Sequence, residues 1–168
     1  MELRVLNRED AKKEYAFFKE LKTENGFENP YENITYDEFT NQVIDERIQA
    51  SLGKGLPEGY VPDTFFFLWD HDEIVGLFKV RHYLNDFLKN GGGHIGYAVL
   101  PQYRHKGYAK AGLRLAIEEL KKMPDFKEDE IYMSCFKENI ASLKVQQANG
   151  AYIHHEDDKH YYTRIKLK

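Results

Sequence analysis

The sequence predicts a mixed α/β fold of the α+β kind, a mostly antiparallel sheet with helices on its faces. Three observations point there. Two apolar runs, 65–69 and 74–82, flank the polar turn Asp70-His-Asp-Glu73, which marks an antiparallel hairpin. A helix-period segment lies between the strand-like runs 94–100 and 131–136, which marks a strand–helix–strand crossover. Two further helix-period segments precede the hairpin, giving the order β-α-α-β-β-β-α-β-α-β-β. At 168 residues the chain suits one domain, 1–168.

Each element has a local reason. Residues 3–6 form a short apolar strand, and Asn7 is a candidate N-cap with Glu9 and Asp10 in the first turn. Ala11, Tyr15, Phe18 and Leu21 recur at helical spacing. Residues 25–33, rich in Asn, Gly and Pro, form a loop. Thr35-Tyr-Asp-Glu38 is a capping box opening a second helix with Phe39, Val43, Ile44 and Ile48 on one face. A second loop covers 53–62, and Asn90-Gly-Gly-Gly93 is a turn before the strand 94–100, which Pro101 ends. The helix 107–122 directs Ala111, Leu115, Ala116 and Leu120 inward. Asn139 caps a short helix that stops at Asn149-Gly150. Strands 151–155 and 161–167 close the chain around Glu156-Asp-Asp-Lys159.

Composition narrows the function classes. A net charge of −4 leaves no concentrated basic surface for phosphate backbones, so nucleic acid is not an expected partner. Mild acidity favours the approach of an amine. The single cysteine, Cys135, rules out an internal disulfide and any multi-cysteine zinc site. No run reaches the length of about 20 apolar residues that spans a bilayer, and the start of the chain lacks a signal-peptide pattern. The expectation is a cytoplasmic protein without membrane or metal. His154, His155 and His160 beside Asp157 and Asp158 suggest ligands on paper, but their spacing is that of a solvated hairpin tip.

The chemistry concentrates in Gly96-Tyr-Ala-Val-Leu-Pro-Gln-Tyr-Arg-His-Lys-Gly-Tyr-Ala109, where a strand runs through a turn into a helix. The first backbone amides of a helix lack internal partners and carry the positive end of its dipole, so a pyrophosphate sits well there. Gly107 and Ala109 allow close approach, and Arg104 and Lys106 add charge. The stretch lacks both the Gly-Lys-Ser/Thr ending of a P-loop and the three-glycine dinucleotide fingerprint.

Pro101-x-x-Arg104-x-x-Gly107-x-Ala109 resembles motif A of the GNAT N-acetyltransferase superfamily. Asn139-Ile-Ala-Ser142, with Gly150 at the close of its helix, resembles motif B. The order of elements along almost the whole chain is similar too. Arg81-His-Tyr-Leu-Asn-Asp-Phe-Leu with Gly92-Gly-His-Ile-Gly-Tyr97 looks like one subgroup of predicted acetyltransferases.

The resemblance implies acetyl-CoA as cosubstrate and a primary amine of a small molecule or protein as acceptor. It implies that strands 94–100 and 131–136 run parallel but splay apart to admit pantetheine. Backbone contacts then come from Val99 and Leu100, and an N–H near Ala98 or Val99 polarises the thioester carbonyl. The amides of Arg104, His105, Lys106, Gly107, Tyr108 and Ala109 hold the pyrophosphate, with Asn139 and Ser142 beside the thiol end.

One departure concerns catalysis. The family places a tyrosine acid seven residues after the motif B Asn; here Gln146 stands there, and an amide is no acid. Tyr97, Tyr152 and Cys135 are the nearby alternatives, with core packing the plain reading of Cys135. His94 is either a titrating base or a hydrogen-bonded structural histidine. His82, Asn85 and Asp86 are either substrate contacts or a loop-stabilising turn. The first two helices, their loop and the aromatics Tyr31, Tyr36, Phe65, Phe67, Trp69, Tyr83 and Phe87 border the acceptor side or the core. The readings left open are an active N-acetyltransferase, with a homodimer compatible with its helical first half, and a catalytically weak CoA-binding sensor or interaction module.

Overall fold

The computed structural model describes residues 1–167. The first sheet is antiparallel in the order β1-β2-β3-β4, formed by Glu2–Val5, Asp63–Asp70, Glu73–Arg81 and Ile95–Val99. The second is antiparallel in the order β5-β7-β6, formed by β5 Glu130–Phe136, β6 Ala151–Glu156 and β7 His160–Lys166. The helices are α1 Ala11–Glu20, α2 Tyr36–Glu38, α3 Ile44–Ser51, α4 Asp86–Lys89, α5 Tyr108–Lys121 and α6 Ile140–Ala148. A π turn, Phe39–Val43, fuses α2 to α3.

Local signals set most of these boundaries. Thr35 and Glu38 close the capping box in both directions, at 3.1 Å and 2.7 Å. Asn7 acts one turn earlier than its expected role: its side chain accepts from the Asp10 amide at 2.9 Å, and the helix proper begins at Ala11. The loop after the third strand contains the short helix α4, whose cap is Asn85 accepting from Leu88 N at 2.9 Å.

Two cores cover the faces of the first sheet. On one, Phe17, Phe18, Leu21, Phe39 and Ile44 pack on Phe65, Phe67, Trp69 and Leu77. On the other, α5 packs on Phe66, Leu68, Val75, Phe78 and Val80. The inward face of α5 is Gly112, Leu113, Ala116, Ile117 and Leu120, one step round from the expected set; Ala111 and Leu115 are half-buried. Gly112 sets that rotation, because a Cβ there would lie 2.3 Å from the Phe78 ring.

The two sheets meet only at one corner of the described strands. His94 N donates to Tyr132 O at 2.7 Å, and Tyr132 N donates to His94 Nδ1 at 2.9 Å. Beyond that corner β4 and β5 share no ladder among the described residues. They diverge as a V whose apex is His94–Tyr132. Gly93 makes the apex feasible: with φ +66° it brings its Cα so close that a Cβ would lie 2.0 Å from Tyr132 O.

Candidate active site

The V opens on the free edge of β4. Arg81 N donates to His94 O and Leu100 N to Val75 O, so residues 96, 98 and 100 turn their backbone groups toward β3, as does the carbonyl of His94, whose N–H serves Tyr132. By the alternation of an antiparallel strand, Ile95, Tyr97 and Val99 turn theirs toward the gap. The expectation for Leu100 is corrected, since its N–H serves Val75 and its carbonyl accepts from Tyr103 N. Ala98 likewise faces the β3 ladder. Val99 does face the gap, although its carbonyl accepts from Arg104 Nε at 3.0 Å.

After β4 the chain makes a 3-10 turn, Pro101–Tyr103, and then the tight bend into α5. Two residues of the bend are left-handed, His105 at φ 61° and Gly107 at φ 84°. Left-handed residues set among right-handed ones turn successive amides to one side, forming an anion-binding concavity. Gly107 is the N-cap of α5, and a Cβ on it would meet nothing within 4 Å, so space lies open above the bend. Tyr108 keeps its side chain away from that space, donating to Asp70 at 2.6 Å. The Arg104 guanidinium is engaged elsewhere, paired with Glu24, so the charge expected from it at the turn is already neutralised.

Beside the bend lies a cavity of about 260 Å³ between α5 and the end of α6, lined by Gly107, Lys110, Ala111, Arg114, Ala148 and Asn149. Lys110 and Arg114 escaped the sequence reading. Their spacing of four places both on one face of the helix that starts at the turn, which is the signal that would have found them.

A chain of polar side chains spans the V from β4 to α6. Tyr97 OH lies 2.8 Å from Ser142 Oγ, and Gln146 Nε2 donates to Ser142 Oγ at 3.3 Å. Gln146 also donates to Ser134 O at 3.2 Å and accepts from Thr163 Oγ1 at 2.6 Å. Buried and fully bonded, Gln146 ties α6 to β5 and β7 and has nothing left for a reacting atom. Burial raises the Tyr97 phenol to about 12, against the opposing pull of Ser142 and Gln146. Asn139 caps α6 by accepting from Ser142 N at 3.1 Å, which fixes Ser142 opposite Tyr97. Burial also raises the Cys135 thiol, consistent with its packing role.

His94 sits at the closed end, with no exposed surface. Desolvation lowers its pKa to about 4, against the attraction of Glu128. Its Nδ1 accepts from Tyr132 N, so the neutral ring carries its proton on Nε2, toward Glu128 at 3.5 Å. The titrating-base alternative is corrected on geometry: this ring latches the apex and does not face the opening. His82 contacts Thr64 Oγ1 at 2.8 Å, and burial lowers its pKa. Asn85 holds Gly59 O at 2.8 Å besides capping α4, and the exposed Asp86 accepts from Asn90 through its backbone. His82 and Asn85 brace this loop, whereas only the backbone of Asp86 takes part in it. Tyr152 donates to Glu130 on the exposed strand β6, away from Tyr97. His155 stacks on Tyr162, and His160 approaches Asp157 at 3.3 Å, so the hairpin histidines are engaged with their neighbours.

The opposite face of β4 carries only Gly96 and Ala98. The loop after α1 crosses above them: Phe27 is the first neighbour a Gly96 Cβ would meet, at 3.9 Å, and Gly26 packs under Phe136 of β5. Of the aromatics weighed for this side, Phe65, Phe67 and Trp69 are core, Tyr31 packs on Phe65 at 6.4 Å, and Phe87 is exposed.

The family model described as "Acetyltransferase (GNAT) family" matches residues 18–151. No curated protein matches the chain. Among solved structures, the ribosomal-protein-S5-alanine acetyltransferase from Vibrio fischeri superposes with a TM-score of 0.69 at 15% identity, covering 98% of this chain and 91% of that one. A spermidine N-acetyltransferase SpeG chimera from Vibrio cholerae and hSSAT gives 0.67 at 17%, covering 99% and 96%. The microcin C7 self-immunity acetyltransferase MccE, in complex with acetyl-CoA and AMP, gives 0.66 at 12%, covering 98% and 91%. At such identities the likeness is one of fold. No helix among the described residues is long and apolar enough to cross a membrane.

Proposed function

The chain belongs to the acetyltransferase (GNAT) family, and from that premise we propose that it transfers the acetyl group of acetyl-CoA directly to a primary amine of a small molecule or protein. The observation that carries the reading is the V between β4 and β5, with a cradle of amides at one end and a phenol held across its middle. Structural neighbours are named for spermidine and for a ribosomal-protein alanine as acceptors, and both are amines.

The amides from His105 to Ala109 bind the pyrophosphate, that of Arg104 being spent on Pro101 O, and Lys106, Lys110 and Arg114 supply the cationic surroundings that Arg104 does not. The Val99 N–H, its carbonyl being held by Arg104, pairs with the pantetheine arm, and the edge N–H of Tyr97, farther from the cradle, polarises the thioester carbonyl. The amine nitrogen attacks the carbonyl carbon, the C–S bond breaks, and the departing thiolate takes a proton. Tyr97 supplies it. At about 12 the phenol stays protonated in the resting site; its donation to the leaving sulfur, uphill against a thiol of pKa ~8.5, is completed by the proton that the attacking amine gives up, relayed by water to the phenolate. Asn139 acts through Ser142, which orients the phenol. An amine of pKa ~10 must first lose a proton, and with His94 sealed in the apex we assign that step to water.

Gln146 in place of the usual tyrosine favours a second reading, a CoA-binding module with little turnover. Thiol release from acetyl-CoA with and without amines separates the two. The cofactor reading is tested by calorimetric titration with acetyl-CoA against Gly107→Glu and Gly107→Ala. Both variants strain a left-handed position, but only glutamate sets a carboxylate against the pyrophosphate. Binding lost in Gly107→Glu and largely kept in Gly107→Ala is expected; equal affinities in all three would refute the site.

A further inference from the structure

Three cations gather around one carboxylate on the acceptor side of the first sheet. Asp63, 3% exposed, accepts from Arg47 Nη1 at 3.1 Å and lies 3.6 Å from Lys79 Nζ. Arg81, opposite Asp63 in the β2–β3 register, feels the same carboxylate and donates to Gly93 O at 2.9 Å. Arg47 and Lys79 both lie over the Phe65 ring, at 4.7 Å and 5.8 Å. Asp63 is the carboxylate that acts on both Lys79 and Arg81, whereas Glu46, exposed on α3, acts on the neighbouring Tyr31.

One buried anion cannot satisfy three cations. The Arg47 Nε is buried without a partner among the described residues, and Lys79 has only its long contact to Asp63. Excess charge away from water is costly unless it is paired. The overall charge of the chain is −4, so a local surplus of positive charge runs against the composition. Its location matters as well. Lys79 is the β3 partner of Gly96, the side-chain-free position on the acceptor face of β4, roofed by Phe27. Lys79 and Arg47 keep side-chain exposures of 24% and 16%, so the cluster is reachable from that face.

We infer that the acceptor carries a carboxylate close to its amine, held by Lys79 and Arg47 while the amine meets the thioester at the β4 edge. This rests on the acetyltransferase reading and narrows its substrate class to amino acids or peptides with a free carboxylate near the amine. Polycationic amines are disfavoured, because Lys79 and Arg47 would repel them.

The test is an NMR titration of the CoA-loaded protein, following the backbone amides of Lys79 and Gly96. The probes are a set of N-acetyl amino acids as product mimics, their C-terminal amides, and spermidine. Movement of both signals by at least one free acid, tenfold weaker binding of its amide, and a tenfold loss in Lys79→Gln are expected. Lys79→Gln leaves Asp63 its closer partner Arg47, and an unchanged melting temperature verifies its fold. Equal binding of acid and amide, response to spermidine alone, or no response to any carboxylate would overturn the inference. CoA affinity, measured separately by calorimetry, reports on the acetyltransferase reading: its absence sinks that reading, whereas its presence with any of those three results sinks only the carboxylate.

Discussion

Replacing Gly93 with alanine should damage this protein more than its place in a glycine run suggests. The new Cβ would lie 2.0 Å from Tyr132 O, 2.5 Å from Tyr132 C and 2.9 Å from Met133 N, all backbone atoms of β5. A flexible side chain could move aside; a strand cannot, so the apex must part. Parting it forfeits the His94 N to Tyr132 O bond and the Tyr132 N to His94 Nδ1 bond, each worth about 1 kcal/mol net. The left-handed φ of +66° costs a further ~1–2 kcal/mol for alanine. The sum is roughly 3–4 kcal/mol, a fall in melting temperature of roughly 6–16 °C for a chain of this size. Gly55 provides a matched control, with the same φ of +66° and nothing within 4 Å of an added Cβ. Gly55→Ala should therefore cost only the backbone component, about 1–2 kcal/mol. Thermal unfolding followed by circular dichroism compares the two. Melting temperatures of Gly93→Ala and Gly55→Ala within about 2 °C of each other would refute the apex as a stressed junction and the energetic ledger built on it.

Three other expectations follow from single groups. Tyr97→Phe should lower kcat by at least about tenfold while leaving acetyl-CoA affinity within twofold, because the phenol acts on the leaving thiolate and not on the cradle; undiminished kcat in a thiol-release assay removes Tyr97 as the acid. His94 is held neutral with its pKa lowered to about 4, so the unfolded chain takes up its proton first as pH falls below the ordinary value of 6.5. Its contribution is therefore complete above about 6.5 and is lost as pH drops through about 4, and denaturant midpoints of wild type and His94→Gln should converge across that window. Glu14 is buried on α1, and desolvation raises it to about 8 although Asn7 N donates to it at 2.9 Å. Its contribution is complete below 4.5 and is lost as pH rises through about 8, so Glu14→Gln should gain on wild type steadily over that interval. A stability difference that stays flat with pH would show Glu14 to be normal.

Much of the fold was legible because its signals are local. The capping box at Thr35 and Glu38, the Asn139 cap and the left-handed Gly107 each act within four residues of themselves, so spacing alone exposes them. The alternation that makes strands and the period that makes helices are of the same kind. The Arg-x-x-Gly-x-Ala bend was readable as a strand-to-helix turn for this reason, and the order of strands and helices carries the resemblance to the family.

The roles of individual side chains were decided elsewhere. His94 and Tyr132 are 38 residues apart, and nothing near either announces that one ring nitrogen will accept the other's amide and so lose its chance to be a base. Gln146 looked like a vacancy where an acid belongs; contacts with Ser134, Ser142 and Thr163 turned it into a strut. The edge groups of β4 depend on which neighbour β3 claims, so the parity that frees Tyr97 and Val99 and consumes Leu100 exists only once the strands pair. Arg47, Asp63, Lys79 and Arg81 come from a helix and two strands, and their surplus of charge arises only when the sheet stacks under α3. Most of the secondary structure, the bend into α5 and the family resemblance are written in the sequence, because those follow from interactions between near neighbours. The tertiary structure alone decided which polar groups are left free to do chemistry, because burial and hydrogen-bond satisfaction are properties of surroundings assembled from distant parts of the chain.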